Sequence, residues 1–299
     1  MRFSGSYVAV VTPFHKKGNL DLKALKDLVE WQIQQGTEGI VCCGSTGEGI
    51  ALTDRERKRI AEVCIKTAAK RVPILVNTGV ADTRQSIRLT EMAQKLGADG
   101  SVVVTPYYNK PTQKGCLLHY REIARVGLPI IAYHNPGRTL IRLTVESAQE
   151  LSQIPNIVAL KDSGHDLEWI RKVKNFLPII AGDDDITYEI LREGGIGAIS
   201  VIGNLIPRSW KSLIRLCLEK KWDSAERLAK FYMPFCKSLF LEANPQCVKW
   251  AMKYLNLSNG ALRLPLIEPN ESIQREIKKE LTHLSLPFCS VSQAHSSNL

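Results

Sequence analysis

The sequence lacks the patterns that would mark a membrane protein or a metal-binding protein. No apolar run reaches eighteen residues, and the first run, at 7–11, is too short for a secretory signal. The cysteines form no CxxC pair and no zinc-finger spacing, and Cys42 and Cys43 adjoin inside an apolar run. Such cysteines are typical of core residues in a reducing compartment. We therefore expect a cytoplasmic protein with no structural metal.

Nucleotide and nucleic-acid patterns are missing as well. No GxGxxG follows the first apolar run, and the glycine-rich segment 44–49 has no Gly-Lys-Ser/Thr ending. The formal net charge of +10 would suit nucleic acid, but basic and acidic residues are interleaved, as in the run 54–59. Interleaving is typical of solvated helix faces, and no RNP-type motif accompanies it. The charge indicates a moderate attraction for small anions instead.

What the sequence does contain is a repeated alternation of apolar runs with amphipathic stretches. The apolar runs lie at 7–11, 39–43, 73–76, 101–104, 129–133, 157–160, 178–181 and 198–201. The amphipathic stretches between them include 22–35, 54–69, 83–96 and 115–126. Fully apolar strands alternating with helices predict a parallel sheet, and eight such units predict an α/β fold closed into a (β/α)8 TIM barrel. A doubly wound open sheet uses the same alternation but usually has fewer strands.

The chain divides near residue 220. The barrel units end near Leu218, and from Trp222 onward the patterns are helical, among them 223–241 and 245–255. We expect a catalytic barrel at 1–220, a helical region at 221–288 and a disordered polar tail at 289–299. Pro234 should bend or split the first helix of the C-terminal region.

Lys161 follows the apolar run 157–160 directly and precedes Asp-Ser-Gly. A lysine at the carboxyl end of a buried strand is drawn out of water, which disfavours the ammonium, and a neutral amine attacks ketones to form a Schiff base. The alternative is a lysine that extends to solvent or pairs with Asp162. Taken alone, Lys161 fits the solvated alternative better, because charged residues at strand ends are usually solvated.

The other strand ends favour the reactive interpretation. In this type of barrel the residues after the strands gather at one rim, where chemistry takes place. Backbone N–H groups and hydroxyls of 44–49 can bind a carboxylate, although a simple tight turn would look the same. Tyr133 can pass protons to a carbinolamine or merely cap the core, and Arg138 can bind a carboxylate through two hydrogen bonds. The rim as a whole predicts an imine-forming enzyme for carboxylate substrates.

These residues resemble the pyruvate-dependent Schiff-base aldolases and synthases, and within them the dihydrodipicolinate synthase family. The resemblance runs from about residue 7 to residue 255. It rests on Gly-Ser-Thr-Gly-Glu at 44–48, Thr-Pro-Tyr-Tyr-Asn at 105–109, Tyr-x-x-Pro-x-Arg at 133–138, Lys161, Gly-Asp-Asp at 182–184, and Glu-Ala-Asn-Pro at 242–245 with Lys249-Trp250.

The resemblance implies a role for each matching residue. Lys161 would form the imine, and Tyr133 would donate and accept protons. Ser45 matches the hydroxyl of a proton relay, and Tyr108 matches a relay tyrosine that reaches across a dimer interface. The matching substrate-binding positions are Thr46, Ile199 and Gly182, together with Arg138 for the carboxylate of an aldehyde substrate.

The implied reaction condenses pyruvate with L-aspartate-4-semialdehyde to 4-hydroxy-tetrahydrodipicolinate, the first committed step toward diaminopimelate and lysine. It needs no metal or organic cofactor, because the imine on Lys161 serves as the electron sink. Ser45 stands where these synthases more usually have threonine, and it also fits a sugar-acid aldolase such as N-acetylneuraminate lyase. Arg138 favours the synthase, since the lyases typically lack it, while His134-Asn135 departs from the commoner Asn-Val. A non-catalytic barrel that binds small acids is a third hypothesis.

The resemblance also implies a homo-oligomer, a tetramer built as a dimer of dimers, with no nucleic-acid or membrane partner. Some relatives bind lysine at the tight dimer interface through a glutamate, an asparagine and histidines. The matching positions here carry different residues, namely Gln85, Ala81, Asp54 and Arg57. We therefore expect weak or absent inhibition by lysine.

Overall fold

A closed parallel barrel forms the body of the chain. The computed structural model describes residues 3–284, so the tail expected at 289–299 lies outside the described residues. In the described part, eight strands pair in sequence order, and the last pairs with the first. The strands are β1 Gly5–Ala9, β2 Gly39–Cys42, β3 Ile74–Asn77, β4 Gly100–Val104, β5 Ile130–His134, β6 Ile157–Asp162, β7 Ile179–Ala181 and β8 Gly197–Ser200. The (β/α)8 barrel predicted from the sequence is confirmed.

Helices with capped ends surround the barrel. Asp54–Ala68 begins with a capping box, in which Thr53 and Glu56 each bond the other's backbone N–H, and Thr83–Leu96 ends at Gly97 with a φ of +85°. The helices are α1 Leu22–Gln34, α2 Asp54–Ala68, α3 Thr83–Leu96, α4 Gln113–Ala124, α5 Pro136–Thr139, α6 Val145–Ser152, α7 Leu167–Val173, α8 Thr187–Arg192, α9 Pro207–Leu218, α10 Trp222–Ser238, α11 Gln246–Tyr254 and α12 Glu271–His283. None of these helices is long and apolar enough to cross a membrane.

The observed boundaries differ from the predicted ones in two informative places. β6 continues to Asp162, so Lys161 lies inside the strand rather than directly after it. α10 continues through Pro234 as a single helix, so of the expected bend or split the split is wrong. Tyr232 and Phe235 are buried on either side of the proline. Their packing outweighs the roughly 3 kcal/mol that an interior proline costs a helix.

Two layers of buried apolar side chains stabilise the barrel. Inside it, side chains such as Tyr7, Leu75 and Ile131 fill the interior beneath the rim. The larger layer between strands and helices continues into the C-terminal helices, where Val248 and Ile277 are buried in it. The rim therefore rests on packed side chains from below and is flanked by the C-terminal helices.

Candidate active site

Lys161 and Tyr133 lie side by side at the rim of the barrel. They are register partners on β6 and β5, and Nζ of Lys161 lies 4.0 Å from the centroid of the Tyr133 ring. Lys161 is 8% exposed and Tyr133 is 7% exposed. Lys161 is therefore not a lysine that extends to solvent, which excludes the first form of the alternative interpretation.

Asp162 is occupied by a different partner. Its Oδ1 lies 2.7 Å from Nδ1 of His134, and both side chains are fully buried. Nε2 of His134 accepts the backbone N–H of Leu143 over 3.3 Å, so the ring proton is on Nδ1 and is donated to Asp162. Because successive strand residues point to opposite faces, this pair joins β5 to β6 behind Tyr133 and Lys161.

The hydroxyl of Tyr133 has two side-chain partners. Nδ2 of Asn135 donates to it over 2.7 Å, and Oγ of Ser163 lies 3.3 Å away. Oγ of Ser163 also donates to Oδ1 of Asp183 over 3.0 Å. Oδ1 of Asn135 accepts the backbone N–H of Arg138, which caps α5 and leaves the amide NH2 to face the phenol.

Gly182 allows Ser163 to approach Asp183. A Cβ atom at position 182 would clash with Oγ of Ser163 and with the carbonyl oxygen of Asp162. Burial raises the pKa of the Asp183 carboxyl, while the positive charges of Lys161 and His165 act against that rise.

An inner cavity of about 40 Å³ lies over Lys161 and meets a larger outer cavity of about 350 Å³. The two share several lining residues, including Ser45, Tyr133 and Arg138. Of the eight site residues predicted from the sequence, seven line the inner cavity: Ser45, Thr46, Tyr133, Arg138, Lys161, Gly182 and Ile199. The structure thus brings together residues from five different strand ends.

Tyr108 is the predicted site residue that lies elsewhere. Its side chain is 92% exposed and its backbone has a φ of +72°, while its neighbour Tyr107 lines the outer cavity. An exposed tyrosine on a left-handed backbone is uncommon, and the predicted contact with a partner subunit would cover it. Ser45 is also exposed, and no side-chain hydrogen bond joins it to Tyr133 among residues 3–284.

Asn244 connects the two residues predicted to bind carboxylates. Its Nδ2 donates to Oγ1 of Thr46 over 3.0 Å, and its backbone oxygen accepts from the guanidinium of Arg138 over 3.2 Å. Its Oδ1 is buried without a hydrogen-bond partner in the described part of the chain. Such an acceptor can receive a donor from a bound substrate.

A buried ion pair fixes the loop that carries Ser45 and Thr46. Glu48, in that loop, has a φ of +51° and pairs with Lys249 of α11. Lys249 also donates to the backbone of Ala261, and Glu48 accepts the backbone N–H of Arg263. Burial lowers the pKa of Lys249 to about 8. The C-terminal helices therefore hold the rim in shape.

Sequence reasoning assigned no role to Asn135, Ser163 or Asp183. Ser163 lies two residues after Lys161, and Asn135 lies two residues after Tyr133, so alternation along a strand could have placed both on the inner face. Their partners could not be inferred, because they depend on side-chain directions across three strand ends. In residues 3–284 no cluster of His, Cys, Asp and Glu is arranged to hold a metal ion.

Comparison with known proteins agrees with this geometry. Residues 2–284 match the sequence model of the Dihydrodipicolinate synthetase family. The chain is 38% identical over 285 residues to the 4-hydroxy-tetrahydrodipicolinate synthase of Syntrophobacter fumaroxidans, covering 93% of this chain and 98% of the relative.

Solved structures give the same result. The dihydrodipicolinate synthase from Aquifex aeolicus superposes with a TM-score of 0.93 at 37% identity, covering 95% of this chain and 99% of that one. The chloride-inhibited dihydrodipicolinate synthase from Acinetobacter baumannii, complexed with pyruvate, superposes with a TM-score of 0.94 at 38% identity, covering 96% and 100%. The matching family, the closed barrel and the lysine within its sixth strand together place this chain in the dihydrodipicolinate synthetase family.

Proposed function

We propose that this chain condenses pyruvate with L-aspartate-4-semialdehyde through an imine on Lys161, giving 4-hydroxy-tetrahydrodipicolinate. The observation that carries the proposal is the amine of Lys161, buried beside the Tyr133 ring at a cavity that Thr46 and Arg138 also line. A buried amine next to a phenol has what carbinolamine chemistry requires, namely a nucleophile and a proton donor.

The reaction begins at the pyruvate ketone. Lys161 attacks as the neutral amine, and Tyr133 supplies the proton with which the carbinolamine hydroxyl leaves as water. Loss of a methyl proton then gives an enamine, which adds to the aldehyde carbon of the second substrate. The amine of that substrate displaces Lys161 by transimination and closes the six-membered ring. The protonated imine accepts the electron pair of the broken C–H bond, a task that a metal or an organic cofactor performs in other enzymes.

The two carboxylates bind at different residues that line the cavity. Thr46, with the backbone of its loop and of Ile199, receives the pyruvate carboxylate, and Gly182 leaves room beside it. Arg138 is exposed at the mouth shared by the two cavities, where it receives the carboxylate of the semialdehyde. A guanidinium suits this task because it binds a carboxylate through two hydrogen bonds.

A homo-oligomer, arranged as a dimer of dimers, completes the site. Tyr108 from one subunit enters the site of its neighbour and joins Ser45 and Tyr133 in a proton relay. Its 92% exposure in the single chain supports this arrangement. Ser45, exposed and without a bond to Tyr133, is free to bond a tyrosine from outside.

Sodium borohydride tests the imine. With pyruvate it should reduce the adduct to a stable modification on Lys161, which peptide mass spectrometry locates. A non-catalytic acid-binding barrel would gain no adduct. Parallel assays with L-aspartate-4-semialdehyde and with N-acetylmannosamine as acceptor then separate the synthase from a sugar-acid aldolase. Labelling on another lysine, or turnover with the sugar alone, would contradict the proposal.

A further inference from the structure

The hydrogen bonds around Tyr133 can run in only one direction. The amide nitrogen of Asn135 only donates, and at the other end Oδ1 of Asp183 accepts from the hydroxyl of Ser163. The Tyr133 oxygen therefore accepts from Asn135, and its own proton points to Ser163. The proton of Ser163 points in turn to Asp183. A continuous path of two hydroxyls thus leads from the phenol to a carboxylate.

We propose that Asp183 is the proton store of the imine-forming step, reached from Tyr133 through the hydroxyl of Ser163. This inference rests on the proposed function, because it concerns the chemistry at Lys161. Ser163 and Asp183 act through Tyr133 and are relay and positioning residues. Asn135 holds the phenol by donating to its oxygen, and that donor stabilises the negative charge left when the phenol loses its proton.

The proton count of imine formation calls for such a store. An ammonium group and a ketone give a protonated imine and water, so the total number of protons is unchanged. One proton must leave the amine before attack, and one must return to the departing hydroxyl. Tyr133 takes the first proton from the amine and passes its own hydroxyl proton to Ser163. The hydroxyl proton of Ser163 then moves to Asp183, which becomes a carboxylic acid. The reverse shift returns the proton to Tyr133 as water departs.

The charges around Asp183 suit a reversible store. Lys161 and His165 face it with positive charge, and Asp185 faces it with negative charge. Nδ1 of His165 lies 3.6 Å from Oδ2 of Asp183, and Asp185 raises the pKa of His165 to about 9, so the ring is cationic at neutral pH. Asp183 also lines the inner cavity, so its proton can exchange with water there.

Ser163→Ala and Asp183→Asn test the path by different changes. Each should lower kcat by about 10- to 100-fold, at or below the low end of the range typical of general acid–base catalysis, because Tyr133 itself remains in place. Both should leave the KM for pyruvate nearly unchanged and still trap pyruvate on Lys161 with borohydride, though more slowly. The acid limb of the kcat profile, which reports protonation of the store, should disappear in Asp183→Asn. The double variant should be no slower than the slower single variant, because both changes break one path.

Glu168→Gln is the charge-removing control, since Glu168 lies on α7 with its side chain 79% exposed and pairs with Lys172 at the surface, at 3.9 Å. It should keep kcat within about twofold of the original protein, as surface substitutions outside a site usually do. The proposal is overturned by wild-type kcat and an unchanged pH profile in Ser163→Ala, by losses of kcat that multiply in the double variant, or by equal effects of Asp183→Asn and Glu168→Gln. If neither single variant traps pyruvate on Lys161, the proposal is also overturned, because such a loss indicates a structural role for Ser163 and Asp183. If the original protein itself fails to trap pyruvate, the proposed function fails instead.

Discussion

The amine of Lys161, on β6, lies over the ring of Tyr133, its register partner on β5. The distance between the nitrogen and the ring centroid is 4.0 Å. The two side chains are placed by backbone pairing between β5 and β6 rather than by a flexible loop. Residues held on strands are positioned more accurately than residues on loops, which suits the roles of nucleophile and proton donor that we propose for this pair.

Replacing Lys161 should abolish the reaction and spare the fold. Lys161→Ala removes the nucleophile, and Lys161→Arg substitutes a guanidinium that stays protonated and cannot attack a ketone. Neither variant should be modified by borohydride and pyruvate, and the thermal unfolding midpoint should remain close to that of the original protein. Lys172→Ala, at an exposed lysine on α7, is the control and should label fully. Turnover by Lys161→Arg would contradict the assignment.

Arg138→Ala should weaken the use of the aldehyde more than that of pyruvate. Loss of a charge-assisted contact costs about 1.5–3 kcal/mol, or roughly 10- to 150-fold in kcat/KM. Initial rates with each substrate varied in turn will measure the two effects separately. Arg142→Ala serves as the control, because Arg142 is exposed and pairs loosely with Asp166 at 3.5 Å. Equal losses for both substrates would argue against the role of Arg138.

Tyr108 should act in a neighbouring subunit. Tyr108→Phe removes the hydroxyl and should slow turnover, while Lys161→Ala is inactive for a different reason. In a mixed dimer the Lys161→Ala subunit supplies its Tyr108 to a site that still has Lys161, so one intact site forms. Activity should therefore reappear when the two variants are unfolded and refolded together. Absence of recovery in mixed oligomers, or full activity of a monomer in sedimentation, would refute an intersubunit role.

Lysine should inhibit the enzyme weakly or not at all. Gln85 offers a neutral amide that already donates to Asp54 over 3.2 Å, and Arg57 is buried with its guanidinium bonded to backbone oxygens. Neither replaces the charged glutamate or the histidines of relatives that bind lysine. Losing one charged partner costs about 1.5–3 kcal/mol, and here several are missing. Half-inhibition by submillimolar lysine in the condensation assay would show that the interface binds it in another way.

Lys249→Met should strongly destabilise the protein. Removing one member of a buried ion pair leaves the other charge, here Glu48, unpaired, at a cost of about 3–5 kcal/mol. Lys253→Met is a matched control on the same helix, since Lys253 pairs with Glu268 at the surface and should cost less than about 1 kcal/mol. Denaturant unfolding measures both. Similar losses of unfolding free energy in the two variants would mean that the buried ion pair contributes no more to stability than the exposed pair.

The sequence predicts the barrel well because each strand and helix is encoded locally. The apolar runs give all eight strands to within two residues, and seven of the eight predicted site residues meet at one cavity. The continuity of α10 through Pro234 has a tertiary cause that local sequence does not show, since packing around the helix outweighs a local helix breaker. The hydrogen bonds from Tyr133 to Asn135 and Ser163 could not be predicted, because they depend on rotamers chosen by several strand ends together.

The contribution of the C-terminal helices has a consequence for synthesis on the ribosome. All eight strands have been made by residue 200, but Asn244, Lys249 and Arg263 emerge later. Until then Thr46 and Glu48 lack the partners that shape their loop. A nascent chain can thus close its barrel while the cavity that Lys161 lines is still incomplete. The loop that carries Thr46 and Glu48 takes its full set of contacts only after residue 263 has been made.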